Sequence, residues 1–218
     1  MAIYDLEEQE QISQLKAWWE RWGTLITALA IAFAVVTVSW RFYGWYQTRQ
    51  STQAAELYFA FTQNAVSGQD LAAVRKEAAA LRAQFPKSHY AVMAALDAAR
   101  ILFEEGEFAQ AGEELGWVHT NARDAALRDL ARLRLAVVLT QQKDYAGARA
   151  KLQPLPAEPM LAARFHDAQG DVFAAEQKPQ EARQAWQAAL DALAANGVTG
   201  QDPRQTFIRL KLDSISGS

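Results

Sequence analysis

The sequence predicts an all-α protein: one membrane-spanning helix near the amino terminus, followed by a stack of helical hairpins. Three observations carry this reading. An uncharged apolar run sits between two groups of aromatic residues. After residue 50 nothing alternates as a strand would, and the helix formers Ala, Leu, Gln, Glu and Arg dominate. Glycine and proline fall a helix or two apart, at Gly68, Pro86, Gly106, Pro154 to Pro159, Pro179, Gly197 and Pro203.

Composition narrows the function classes. Half of the 218 residues are apolar and 22% are charged, which excludes a disordered chain and a polytopic one. Without a cysteine there is no disulfide, no thiolate nucleophile and no cysteine-ligated metal. The first 22 residues carry Asp5, Glu7, Glu8, Glu10 and Glu20 against Lys16 and Arg21, so they hold the whole net charge of −3. The charge-balanced remainder has no global pull on nucleic acid.

The amino-terminal tail, residues 1–22, reads as an amphipathic helix. Ile12, Leu15, Trp19 and Trp22 form one apolar stripe, opposite Glu10, Gln14 and Lys16. Such a helix either lies on the membrane surface or simply extends the membrane helix into water.

Residues 23–42 read as the transmembrane helix. From Gly23 to Trp40 there are 18 residues without a charge, bracketed by Arg21 and Arg41. At 1.5 Å per residue the run reaches roughly 27 Å, close to a hydrocarbon core of about 30 Å. Trp18, Trp19 and Trp22 on one side, and Trp40, Tyr43, Trp45 and Tyr46 on the other, are the expected interface anchors. A cleaved signal peptide fits poorly. The start is long and acidic, the small-x-small triplets lie inside the apolar run, and bulky Trp40-Arg41-Phe42-Tyr43 follows. Orientation is undecided by charge, because Lys16 and Arg21 balance Arg41 and Arg49.

Residues 43–218 read as a repeat domain. Three segments superimpose at offsets of 37 and 34 residues. Ala99, Leu102, Gly106-Glu107-Phe108, Ala111, Leu115 and Val118 match Ala136, Leu139, Lys143-Asp144-Tyr145, Ala148, Leu152 and Leu155. The third copy supplies Gly170, Phe173, Gln177-Lys178-Pro179, Ala182, Trp186 and Ala189-Leu190. Small residues belong where two helices approach closely, and larger ones fill the groove between neighbours. The pattern resembles the tetratricopeptide repeat. It departs from it in lacking the early tryptophan of the first helix, and in carrying Pro179 where an aromatic is usual. The expected repeats run over about 92–125, 129–160 and 163–196. A divergent copy at 52–86 turns at Ser67-Gly68-Gln69-Asp70, and a capping helix at 203–215 carries Ile208, Leu212 and Ile215 on one face.

The full order resembles the YfgM-like ancillary subunits of the SecYEG translocon. The resemblance rests on the acidic start Tyr4 to Gln11, Leu15-Lys16-Ala17-Trp18-Trp19, and Gly23 opening the span. Gly170-Asp171, Ala182 to Trp186 and the closing Leu210 to Ser216 add to it. It implies a bacterial inner-membrane protein with a cytoplasmic amino terminus and a periplasmic repeat domain. The implied partners are the Sec channel and a membrane-anchored, parvulin-like periplasmic chaperone, and the implied role is assistance to newly translocated proteins. A membrane-anchored scaffold for cell-envelope or division machinery would share the same sequence features.

No chemistry-bearing motif occurs. His89, His119 and His166 lie one per repeat with no metal spacing, and phosphate loops, Ser-His-Asp order and H-E-x-x-H are missing. The expectation is a non-enzymatic protein without cofactor, metal or small-molecule substrate. Repeat stacks act through a concave face lined by their first helices. The repeat alignment puts Leu96, Arg100 and Phe103 on that face, then Leu133 and Val137, then Asp167 and Asp171. Part apolar and part charged, it suits a peptide or a partner helix.

Overall fold

A computed structural model describes residues 4–67, 70–198 and 202–215. The chain divides into two compact units, Met1–Thr52 and Gln53–Ser218. All described elements are helices, and the first, α1 (Tyr4–Ser67), runs through the boundary between the units.

Proline is absent before Pro86, so nothing removes a backbone donor from α1. The tail and the apolar run therefore form one continuous helix, and no break separates a surface-lying segment from the span. The hydroxyls of Thr27, Thr37 and Thr48 donate to the carbonyls of Gly23, Phe33 and Gly44, at 2.6, 2.7 and 2.9 Å. For Thr27 and Thr37 that satisfies the hydroxyl inside an apolar stretch where water is missing. Seven large apolar side chains between Leu25 and Val38 are each more than half exposed, from Leu25 at 53% to Phe33 at 75%. A core helix would hide that surface in its own protein, whereas lipid covers it in a transmembrane helix. Among the described residues α1 is the one helix long and apolar enough to cross a membrane.

The second unit begins with the carboxyl-terminal part of α1 and α2 (Leu71–Gln84), and then holds three hairpins. These are α3 (His89–Glu104) with α4 (Phe108–Asn121), α5 (Ala125–Gln141) with α6 (Tyr145–Lys151), and α7 (Pro159–Ala175) with α8 (Pro179–Ala195). The last helix, α9 (Pro203–Ser214), follows. Gly68 and Gln69, half of the expected first turn, lie outside the described residues.

Each hairpin turns in the same way. Gly106, Lys143 and Gln177 take left-handed φ values of 82°, 62° and 60°. The next amide donates back to Leu102, Leu139 and Phe173 at 2.8, 2.9 and 2.9 Å, closing the same helix-ending motif three times. Two of these three positions carry a side chain, a backbone strain of order 1 kcal/mol each. Helix starts are equally explicit. Asp70, Ser88, Asp124, Glu158 and Asp202 accept from amides of the first turn. Pro159, Pro179 and Pro203 open α7, α8 and α9, where a missing N–H costs nothing.

The core is a chain of local clusters. Ala54, Phe61, Leu81 and Ala94 join α1, α2 and α3, and Leu102, Leu115 and Leu135 join α3, α4 and α5. Leu152 and Phe165 join α5, α6 and α7, and Trp186, Leu193 and Ile208 join α7, α8 and α9. Each hairpin is thus completed by its neighbour, the packing rule of a solenoid.

One part of the repeat alignment is corrected. The second helix of the middle repeat is only 7 residues long. Pro154, Pro156 and Pro159 follow, and proline prevents the helix from continuing. Leu152 is fully buried, but Leu155 falls in the loop, 38% exposed, and is no helix anchor. The Arg132 guanidinium holds this loop by donating to the Pro154 carbonyl at 2.6 Å.

Candidate protein-binding face

The first helices α3 and α5 form the walls of a surface groove of about 210 Å³. It is lined by Ala99, Arg100, Phe103, Leu115, Arg134, Val137 and Val138. Three residues expected on the concave face therefore converge: Arg100, Phe103 and Val137. Phe103 packs edge-on against Phe108 at 5.3 Å, and Val137 is 41% exposed.

Leu96 and Leu133, expected on the same face, are core residues instead, 4% and 6% exposed. Leu96 packs with Val92 and Leu102, and Leu133 with Leu152 and Phe165. Their helical register turns them inward, into the core and out of the groove lining.

Asp167 and Asp171 are engaged by α9. Lys211 donates to Asp167 and to Asp171, each at 2.8 Å, and Trp186 Nε1–H donates to Asp171 at 3.1 Å. Burial raises the Asp171 pKa, against the pull of Lys211. Burial also pushes the Lys211 ammonium down, but the hydrogen bonds to the two carboxylates overcome it and hold the pKa above the usual lysine value. The pair thus acts as a clasp for the capping helix. Lys211→Met should cost about 1 kcal/mol, as partly exposed ion pairs do. Amide exchange in α9 should rise with it; unchanged protection would show that the clasp holds nothing.

Arg134 is the residue that sequence reasoning missed. Desolvation lowers its pKa first, then the charges of Arg164 and Arg100, while Asp97 opposes them. It stays a cation, as arginine does, and with Arg100 it puts two guanidiniums on the groove wall. Arg100 is neutralised by a two-pronged contact with Glu104, at 2.9 Å for both oxygens. Among the described residues neither Arg134 nor Arg164 makes an ion pair or a hydrogen bond. The repeat alignment could not reveal them, because Arg134 aligns with Asp97 and Arg164 with Met93 and Leu130. Proximity arises from neighbouring helices, not from equivalent positions.

The tetratricopeptide repeat-like domain family matches residues 16–217. An ancillary SecYEG translocon subunit from Neisseria gonorrhoeae (strain ATCC 700825 / FA 1090) is 31% identical over 210 residues, covering 96% of this chain and 98% of that protein. The chain belongs to this family of ancillary translocon subunits. Relatives of the same description from Haemophilus influenzae (strain ATCC 51907 / DSM 11121 / KW20 / Rd) and Aggregatibacter actinomycetemcomitans are 29% and 28% identical. They cover 97% and 83% of the chain, and 99% and 91% of their own lengths.

In this family member the expected membrane anchors lie on α1 and all are exposed, from Trp22 at 47% to Trp40 at 80%. Trp18 and Trp19 precede the apolar run and Tyr43, Trp45 and Tyr46 follow it. The Tyr43 and Tyr46 hydroxyls accept from Gln47 and Gln50 at 2.8 and 2.6 Å, and Arg49 lies over Trp45 at 5.4 Å. Apolar rings with wetted polar ends suit a headgroup layer. Among the described residues no group of three histidine or acidic side chains is placed to hold a metal ion. His89 opens α3, His119 lies in the last turn of α4, and His166 accompanies Gln169 within α7.

Proposed function

We propose that the protein is a non-enzymatic, inner-membrane accessory of the Sec channel. Its repeat domain lies in the periplasm and binds partner proteins, among them a membrane-anchored parvulin-like chaperone, to assist newly translocated chains. The observation that carries the reading is the full-length match to relatives described as ancillary SecYEG translocon subunits. The fold supports it: a membrane anchor is followed by a stack of hairpins whose surface offers a groove. The groove of α3 and α5, with Arg100, Phe103 and Val137, and the clasp end with Asp167 and Asp171, are the proposed contact regions. The domain limits follow the same reading, with a tail to residue 22, a span at 23–42 and the repeats beyond.

Two experiments test it. Affinity purification of the full chain in mild detergent should recover the channel subunits and a periplasmic chaperone; their absence overturns the proposal. Alkaline phosphatase fused to the carboxyl terminus should be active, because the enzyme matures only outside the cytoplasm. An inactive fusion would put the repeats on the wrong side for these partners.

A further inference from the structure

We propose that the groove between α3 and α5 takes an acidic segment of a partner polypeptide, one apolar side chain seated on Phe103 and Val137 and a carboxylate on Arg134. This rests on the protein-binding reading above and names the chemistry of what is bound.

Size is the first argument. Sites for drug-sized small molecules run from about 300 to 1,000 Å³, and this groove has about 210 Å³. It has room for one large side chain rather than a cofactor. Its floor is apolar through Ala99, Leu115 and Val138, and Val137 stays 41% exposed within it. A partner side chain placed there removes apolar surface from water on both sides.

Charge is the second argument. The domain from residue 41 onward balances its formal charges, so general attraction does not explain a local excess of cations. The excess is local to the groove, whose lining holds two guanidiniums, Arg100 and Arg134, and no carboxylate. Arg100 has Glu104 as its partner, at 2.9 Å. The nearby carboxylate of Asp97 accepts the Tyr58 hydroxyl at 2.8 Å and offsets Arg134 only in part. One guanidinium beside an apolar floor, that of Arg134, remains to be neutralised from outside. Arginine presents a planar fork that matches a carboxylate in two bonds, which makes an aspartate, a glutamate or a chain terminus the fitting group. A basic or purely apolar segment would leave that guanidinium repelled or desolvated.

The test uses the full chain in nanodiscs of zwitterionic lipid and labelled short peptides. The reference peptide carries several Asp and Glu around one central Leu. One control replaces the acids by Asn and Gln, and another replaces the Leu by Ser. The reference should bind and weaken steeply with salt, and each control should bind at least tenfold more weakly. Arg134→Gln should weaken the reference about tenfold, the size expected for one charge-assisted contact, and Val137→Asp should weaken it similarly. Both side chains are on the surface, so an unchanged melting curve will show that folding is intact. Equal binding of the acidic and amide peptides, or no effect of Arg134→Gln, overturns the inference. So does displacement of the peptide by anionic nanodiscs when Arg134→Gln reduces lipid rather than peptide binding. If no peptide binds while the channel still copurifies, this inference falls and the accessory role stands.

Discussion

Gly170→Ala will destabilise the repeat domain by about 1–2 kcal/mol, although alanine is the better helix former. A Cβ at Gly170 would lie 2.3 Å from both Cδ1 and Nε1 of Trp186 and 2.7 Å from its Cγ. The indole cannot swing away easily. It is 3% exposed, and its N–H is held by Asp171. Helix propensity favours alanine over glycine by about 1 kcal/mol, but overpacking of a closed core costs about 1–3 kcal/mol and occasionally more. The clash wins, and the expected fall in melting temperature is roughly 2–8 °C for a domain of this size. Calorimetry of the full chain in detergent measures it. The first two repeats suggest the cure. They pair Ala99 with Leu115 and Ala136 with Leu152, all buried, where the third pairs Gly170 with Trp186. The double variant Gly170→Ala/Trp186→Leu should therefore lose much less than the sum of the single changes. Strict additivity would mean that the two positions do not share one volume.

That pairing also shows why the fold could be read from the sequence. A small residue on the first helix and a large one on the second recur at near-constant spacing, because each hairpin solves the same packing problem. The apolar run was legible for a similar reason, since lipid demands a length and an absence of charge that few other environments demand. Leu155 escaped because its apolar character was right and only the prolines around it decided that the helix had ended. The continuity of α1 depended on the lack of proline through residue 67, and no residue in it marks where the tail ends and the span begins. The face itself was half legible. Arg100, Phe103 and Val137 follow from periodicity, while Leu96 and Leu133 show that periodicity alone cannot separate a groove lining from the layer beneath it. Arg134 and Arg164 are brought together by neighbouring helices from positions that do not correspond in the repeat. Lys211 reaches Asp167 from 44 residues away in sequence. Such contacts depend on helix packing, and no local pattern encodes them.

Replacing Arg82 by methionine will cost about 3–5 kcal/mol at neutral pH, and removing Glu114 together with it will restore most of the loss. Arg82 on α2 and Glu114 on α4 pair at 2.9 Å, with Glu114 only 3% exposed. Methionine keeps the apolar contact that the arginine stem makes against Trp117, over whose ring the guanidinium lies at 5.6 Å. What it removes is the charge, leaving a buried carboxylate whose other nearby cation, Arg75, is 3.8 Å from Glu113 instead. The dependence on pH separates this cause from packing. Burial raises the Glu114 pKa above 4.5, while Arg82 and Arg75 pull it back. With a raised pKa the folded state holds the proton more tightly than the unfolded chain. The contribution of this carboxyl to stability is then fully present below its unfolded value and is lost as the pH rises through the folded one. Taking Arg82 away lets burial raise the folded pKa further, so more stability is lost over that rise. The penalty of Arg82→Met should accordingly be small near about pH 4 and reach its full size by about pH 7. A penalty of equal size at both pH values would mean that Arg82 supplies packing alone. In the double variant Arg82→Met/Glu114→Leu no buried charge remains, so its stability should lose this pH dependence as well.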